Sequence, residues 1–310
     1  MNTGNSHHDA AIQHLRDATT QHLRDATTQD LRDGATRPPT DADRTTLVVG
    51  GTGKTGRRVA ERLTARGLPV RIGSRSGRPP FVWESPRTWD AALDGVGAVY
   101  LTYYPDLGFP GAAEAVGAFA RTALARGVRR VVLLSGRGEE GARHSEDKVR
   151  ESGAELTVIR ASWFAQNFDE GFFAEAVRSG EIALPAGDAV EPFVDADDIA
   201  DVAVAALTDD RHIGRTYEVS GPRLLALADA AMELTRATGR EIRYVPVTMD
   251  AFRTALTEAG LPLDFTDLIE LLTDGRNAHL THGVQEALGR PPRDFADYAR
   301  DAAARGAWKR

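Results

Sequence analysis

The chain has 310 residues, with 38 basic against 45 acidic side chains, a formal charge of −7 and an apolar fraction of 42%. That length suits one large domain or two unequal ones with a real core, and the acidic balance lacks the clustered Lys and Arg that a nucleic-acid surface requires. The sequence contains no cysteine, which excludes disulfides, a thiol nucleophile, iron–sulfur clusters and thiolate-held zinc. No apolar run approaches the length of a membrane span and the first residues do not read as a secretory signal, so a soluble cytoplasmic protein is expected.

Residues 13–20 read QHLRDATT, residues 21–28 repeat them, and residues 29–36 give QDLRDGAT. Eight residues advance an α-helix about 80° beyond two turns, so Leu15, Leu23 and Leu31 form no stripe. One large apolar residue per octad is too little to offset the entropy of ordering it. Residues 1–44 are therefore expected to be a disordered, repeat-bearing tail, closed by the linker Arg37-Pro38-Pro39-Thr40. A binding arm is the other reading.

From Thr45 the texture changes. Residues 46–49 are apolar and β-branched, which suits a strand buried on both faces. A glycine-rich turn follows, then a helix carrying Val59, Ala60 and Leu63 that stops near Gly67. Strands are expected at 70–74, 81–84, 98–102, 131–135 and 156–160. A short helix passes through Trp89 and Leu93, and a longer one carries Val116, Phe119, Ala120, Ala123 and Leu124. This alternation predicts an α/β fold, a doubly wound parallel sheet of the Rossmann type, over residues 45–160.

Past Arg160 the alternation weakens. A helix over 197–207 with Asp195 as N-cap, a helix over 225–238 ending at Gly239, and a strand over 242–247 are expected. The stretch from Asp250 onward reads as mostly helical. Residues 161–310 are thus read as a smaller mixed substrate-binding lobe, with 190–220 returning to the Rossmann core. Ligands of such folds sit at the carboxyl edge of the sheet.

The turn Gly50-Gly51-Thr52-Gly53-Lys54-Thr55-Gly56 carries two glycine registers at once, Gly51-x-Gly53-x-x-Gly56 and Gly50-x-x-Gly53-x-x-Gly56. Either lets backbone N–H groups and a helix N-terminus approach a pyrophosphate, and the strand before and helix after supply the required context. A Walker A loop needs a glycine where Val48 stands, so the nucleoside-triphosphatase reading fails. The second strand ends Ile72-Gly73-Ser74-Arg75-Ser76. It offers no carboxylate for a ribose 2′-hydroxyl, but a guanidinium and a hydroxyl that suit a 2′-phosphate, with Lys54 or Arg57 able to add charge. NADP(H) is the expected cofactor.

Taken with the segments ESGAELTVIRASWFAQNF, GEIALPAGDAVEPFVDADDIADVAVAAL, YEVSGPRLLALADA and DGRNA, this turn makes the chain resemble the NmrA-like branch of atypical short-chain dehydrogenases/reductases, from about Leu47 to the C-terminus. Within that branch it is similar to bacterial relatives of the ergot-alkaloid reductases and to the NAD(P)H:quinone reductases. The resemblance implies hydride transfer from NADPH to a small, largely apolar iminium, enone or quinone. It also leaves open a redox sensor that binds NADP(H) without turnover, and an isomerase or epimerase on the same scaffold. Unlike the wider superfamily, the chain has no Tyr-x-x-x-Lys, and Arg160-Ala161 stands where many relatives have Arg-Pro.

The expected cofactor contacts are Gly50, Thr52, Gly53, Lys54, Thr55, Gly56, Ser74, Arg75, Thr102, Ser135 and Gly136. Tyr103, following the fourth strand, is the candidate substrate-facing hydroxyl; aromatic packing under the loop is its other reading. Trp163, Phe164, Asn167 and Phe168 follow the sixth strand and suit a slot for a flat organic substrate. His144, one helical turn before Lys148, is a second candidate acid, with an ordinary charged surface helix as the alternative. His279-x-x-His282 has metal-like spacing but no evident third ligand, so no metal is expected. A Gly-x-Ser-x-Gly elbow is absent.

Overall fold

Six strands form one parallel sheet: β1 (Thr45–Val49), β2 (Val70–Gly73), β3 (Val96–Leu101), β4 (Arg130–Gly136), β5 (Glu155–Ala161) and β8 (Thr216–Val219), in the order β2-β1-β3-β4-β5-β8. This computed structural model describes residues 44–171, 173–260 and 263–309, so the octad repeat lies outside the described residues. Every residue of β3 is buried, as a strand covered on both faces requires.

The strand expected at 81–84 does not form. Phe81 instead plugs the core, edge-on to Trp83 at 5.1 Å and to Phe119 at 5.4 Å between ring centroids. The backbone there is satisfied by side chains rather than by a ladder. Val82 N–H donates to Thr88 Oγ1 at 3.1 Å, and its carbonyl accepts from Trp89 Nε1 at 3.1 Å. An apolar triplet too short to pair became a side-chain cluster.

Helices α1 (Lys54–Ala65) and α6 (Ala196–Thr208) cover one face, where Val59 and Leu63 meet Val48, Ile199, Val202 and Ala203. On the other face α2 (Trp89–Leu93), α3 (Ala112–Ala125) and α4 (Glu140–Arg150) bury Leu93, Val116, Phe119 and Val149 against β1, β3 and β4. Asp195 caps α6 as expected, accepting from Asp197 N–H at 2.8 Å.

The remaining elements gather around a third cluster containing Phe168, Phe173, Phe193, Leu234, Phe295 and Trp308. They are α5 (Ala174–Ser179), the parallel pair β6 (Glu181–Leu184) with β10 (Arg243–Pro246), and the antiparallel pair β7 (Val190–Glu191) with β9 (Leu225–Ala226). Helices α7 (Leu227–Thr238), α8 (Met249–Glu258), α9 (Asp264–Thr273) and α11 (Phe295–Ala304) complete it, whereas α10 (Gly283–Leu288) packs Val284 and Ala287 into the cluster of α1 and α6. Asp41–Arg310 make one compact unit, because β8 and α6 complete the sheet from late in the chain.

Ion pairs join α1 to α6 and to the loop after β5, and tie α6 to the segment after α10. Arg62 reaches Asp197 and Asp201 at 2.6 Å each, and Asp198, fully buried, takes Arg290 at 2.8 Å together with Arg293. Arg57 and Arg58 both hold Glu170 in the loop after β5. These pairs fix the position of that loop relative to the glycine turn.

Candidate active site

The turn between β1 and α1 begins at Gly50, whose φ is +69°. A Cβ there would fall 2.3 Å from Thr102 Oγ1, so no other residue fits. Thr102 occupies that space and donates to Val49 O at 3.0 Å. A Cβ on Gly56 would meet Gly50 O at 2.3 Å, which is how close α1 passes beneath the turn. Gly53 is the N-cap of α1 and offers no capping side chain; the first turn holds no acidic residue. The first N–H groups of a twelve-residue helix are therefore left for an anion. Thr52 and Gly53 are exposed, whereas Thr55 is buried under the turn.

At the end of β2, Arg75 is exposed and Ser74 half-buried, its hydroxyl 3.4 Å from that of Ser76. The two other cations that sequence reasoning put forward for a 2′-phosphate are committed elsewhere. Arg57 makes two bonds to Glu170, at 2.9 and 2.6 Å, and the Lys54 ammonium donates to Asn167 Oδ1 at 2.8 Å. Among the described residues Arg75 has no acidic partner.

A cleft of about 620 Å³ opens at the carboxyl edge of the sheet, a size suited to a small organic ligand. Lys54, Thr102, Tyr103, Ser135, Gly136, Trp163, Phe164 and Asn167 all line it, so eight of the expected positions converge on one space. Tyr103 leans on Trp83 at 5.0 Å between centroids. Burial, and the charge of Glu84, raise its phenol above the ordinary value. Trp163 packs edge-on to Phe173 at 5.6 Å. Burial lowers the Lys54 ammonium, opposed in part by Glu170 and Asp169.

Two expectations need correction. His144 is exposed on α4 and does not line the cleft; burial of Ala142, Ser145 and Val149 turns its side of the helix to solvent. Phe168 has no exposed surface and stacks on Phe173 at 5.2 Å, so it is core rather than slot. The Ser135 hydroxyl is engaged, donating to Glu146 Oε1 at 2.7 Å. Glu146 is itself buried and held by Arg160 at 2.7 Å.

Sequence reasoning missed Asp106 and Glu139, two cleft carboxyls in the segments after β3 and β4. Burial, and then Asp106 beside it, push the Glu139 carboxyl up to about 9. The signal was there to read: in a parallel sheet, residues just past adjacent strand ends share one edge. Phe252 of α8 and Ile269 of α9 close the cleft from the C-terminal side.

A helix N-terminus at the head of a parallel sheet, opening beside a cleft at the carboxyl edge, is the construction of a dinucleotide-binding α/β protein. The comparisons agree. Over 286 residues the chain is 33% identical to an NAD(P)H azoreductase of Xenophilus azovorans, covering 83% of this chain and 98% of the relative. It is 34% identical over 283 residues to an agroclavine dehydrogenase of Claviceps fusiformis, covering 83% and 96%. The fold is shared with a Citrobacter sp. triphenylmethane reductase solved with NADP(H), at a TM-score of 0.65 and 18% identity over 84% of this chain and 99% of that one. No family model matches the chain. The chain belongs to the NmrA-like atypical short-chain dehydrogenase/reductase family.

Proposed function

We propose that the protein is an NADPH-dependent reductase of a small, flat, largely apolar acceptor: an iminium, an enone, a quinone or an azo compound. The observation that carries this reading is one residue. Lys54 stands in the first turn of α1, beside the phosphate-binding N–H groups, and its ammonium lies in the aromatic cleft. Phosphate site and substrate site are thus joined in a single turn of helix.

The residues present fit the dinucleotide. The space at Gly50 excludes any side chain, the α1 N-terminus is uncapped, and Arg75 is the guanidinium available for a 2′-phosphate. When bound, NADPH supplies a hydride from its nicotinamide ring. The chain's own residues then have three tasks. Trp163 and Phe164 form an apolar wall that excludes water and orients a planar acceptor. Tyr103 offers a hydroxyl whose raised pKa makes it a hydrogen-bond donor that keeps its proton. Asn167 and Lys54, bonded to each other, hold the wall after β5 against the glycine turn.

A cationic iminium is neutralised by hydride addition and asks little of the protein beyond this orientation. Steady-state NADPH oxidation over quinones, enones, azo dyes and cyclic iminium ions tests the reading. Multiple turnovers with at least one class are expected. Tight NADPH binding without turnover across all of them would leave a redox sensor instead.

A further inference from the structure

We infer that Glu139, paired with Asp106, is the proton donor that completes reduction of electrically neutral acceptors in this cleft. The inference rests on the reductase reading above and names a catalytic residue for it.

The geometry brings the two carboxyls together from separate loops. Asp106 follows β3 and Glu139 follows β4, and a Cβ placed on Gly108 would lie 2.9 Å from Glu139 Oε2 and 3.3 Å from Asp106 Oδ1. The two carboxyls thus flank the same point, close enough for the charge of Asp106 to act on Glu139. Two carboxylates held this close repel, which favours one of them keeping a proton. Gly108 N–H donates to Asp106 Oδ1 at 2.7 Å, which favours Asp106 as the charged partner and Glu139 as the acid. Glu139 is also the N-cap residue of α4, yet its side chain makes no capping bond. A helix N-terminus favours an ionised carboxyl. Burial and the neighbouring charge run the other way and win.

The acid is placed where reduction needs it. Glu139 Oε1 lies against Gly136, 2.0 Å from where a Cβ would be, at the last residue of β4 and in the wall of the cleft. A quinone, enone or azo acceptor that gains a hydride forms one new C–H or N–H bond and is left with an anionic oxygen, carbon or nitrogen. The Glu139 O–H bond breaks and its proton bonds to that atom. The acceptor is reduced by two electrons, the cofactor is oxidised, and the carboxylate regains a proton from water. The other titratable groups lining the cleft are Tyr103, Tyr104, Lys54 and Glu170, and Asp106 is the charge that acts on Glu139.

Three measurements on the full chain test this. Glu139→Gln should slow quinone reduction about 100-fold or more and lower the quinone-to-iminium rate ratio at least tenfold, because the iminium needs no proton. Wild-type quinone turnover should fall as pH rises through about 9, and Asp106→Asn should move that limb to lower pH by removing the charge that holds the proton on Glu139. Infrared difference spectra should show a protonated-carboxyl band at pH 7 that is absent in Glu139→Gln. An unchanged rate ratio, an alkaline limb that survives in Glu139→Gln, or no such band would each overturn the assignment. Absence of turnover by the wild type would defeat the reductase reading and the donor role with it, while the band would still show that the pair holds a proton.

Discussion

The Lys54 ammonium donates to Asn167 Oδ1 at 2.8 Å, linking the first turn of α1 to the loop after β5 across 113 residues of sequence. Sequence reasoning gave these two residues to different partners, cofactor and substrate. Their contact makes the two expected sites neighbours and engages the Lys54 ammonium.

We propose that Arg75 sets the cofactor choice. Arg75→Ala should weaken NADPH binding by about 1.5–3 kcal/mol and leave NADH nearly unchanged. Titration calorimetry with both nucleotides checks this. Equal losses for the two would return the 2′-phosphate to another group.

Lys54 also makes stability depend on pH. Burial lowers its pKa in the folded chain below the unfolded value of 10.5. Between the two values the unfolded chain holds a proton that the folded chain has released, so wild-type stability rises with pH through that window. Lys54→Met lacks this contribution. Urea titrations at increasing alkaline pH should show the stability difference shifting in favour of the wild type, whereas a constant difference would contradict the burial of the charged amine.

Phe168 and Trp163 follow the same strand but should fail differently. Phe168→Ala opens a void among Phe173, Phe193 and Phe295 and should cost about 3–5 kcal/mol of stability, with KM unchanged in the folded fraction. Trp163→Ala strips the cleft wall and should raise KM for a planar acceptor. Paired melting and kinetic measurements separate the two.

Asp198 has no exposed surface and binds Arg290 and Arg293. Asp198→Ala should destabilise the fold by about 1–3 kcal/mol, because the Arg293 backbone N–H and the two guanidinium groups, which keep Asp201, lose a buried acceptor. A chemical denaturation curve superimposable on the wild type would contradict this.

The parallel sheet could be read from the sequence because parallel strands are buried on both faces and so are written as continuous apolar runs; Leu47-Val48-Val49 and Val131-Val132-Leu133 announce themselves. Residues 81–84 carry the same signal and deceive, since Phe81 and Trp83 are apolar in order to meet Trp89 and Phe119. The glycine turn was legible because a tight approach admits one residue type. Eight cleft residues were legible because strand ends share an edge. Phe168 was misplaced because an aromatic after a strand can face inward or outward, and neither period nor composition chooses between them. For the Asp106–Glu139 pair the sequence showed only that both follow adjacent strand ends; neither carboxyl is unusual in its own loop, and the packing of the loop before α3 against the start of α4 is what brings them together.

The central claim is that a nicotinamide hydride reaches an acceptor held in the cleft beside Tyr103 and Trp163. The most direct measurement is mass spectrometry of products formed with NADPH deuterated at C4, using quinone, azo and cyclic iminium acceptors at catalytic enzyme concentration. The account expects NADPH consumption over many turnovers, with deuterium retained at the reduced carbon of the iminium product. Stoichiometric NADPH binding with no labelled product and no turnover of any acceptor would contradict it.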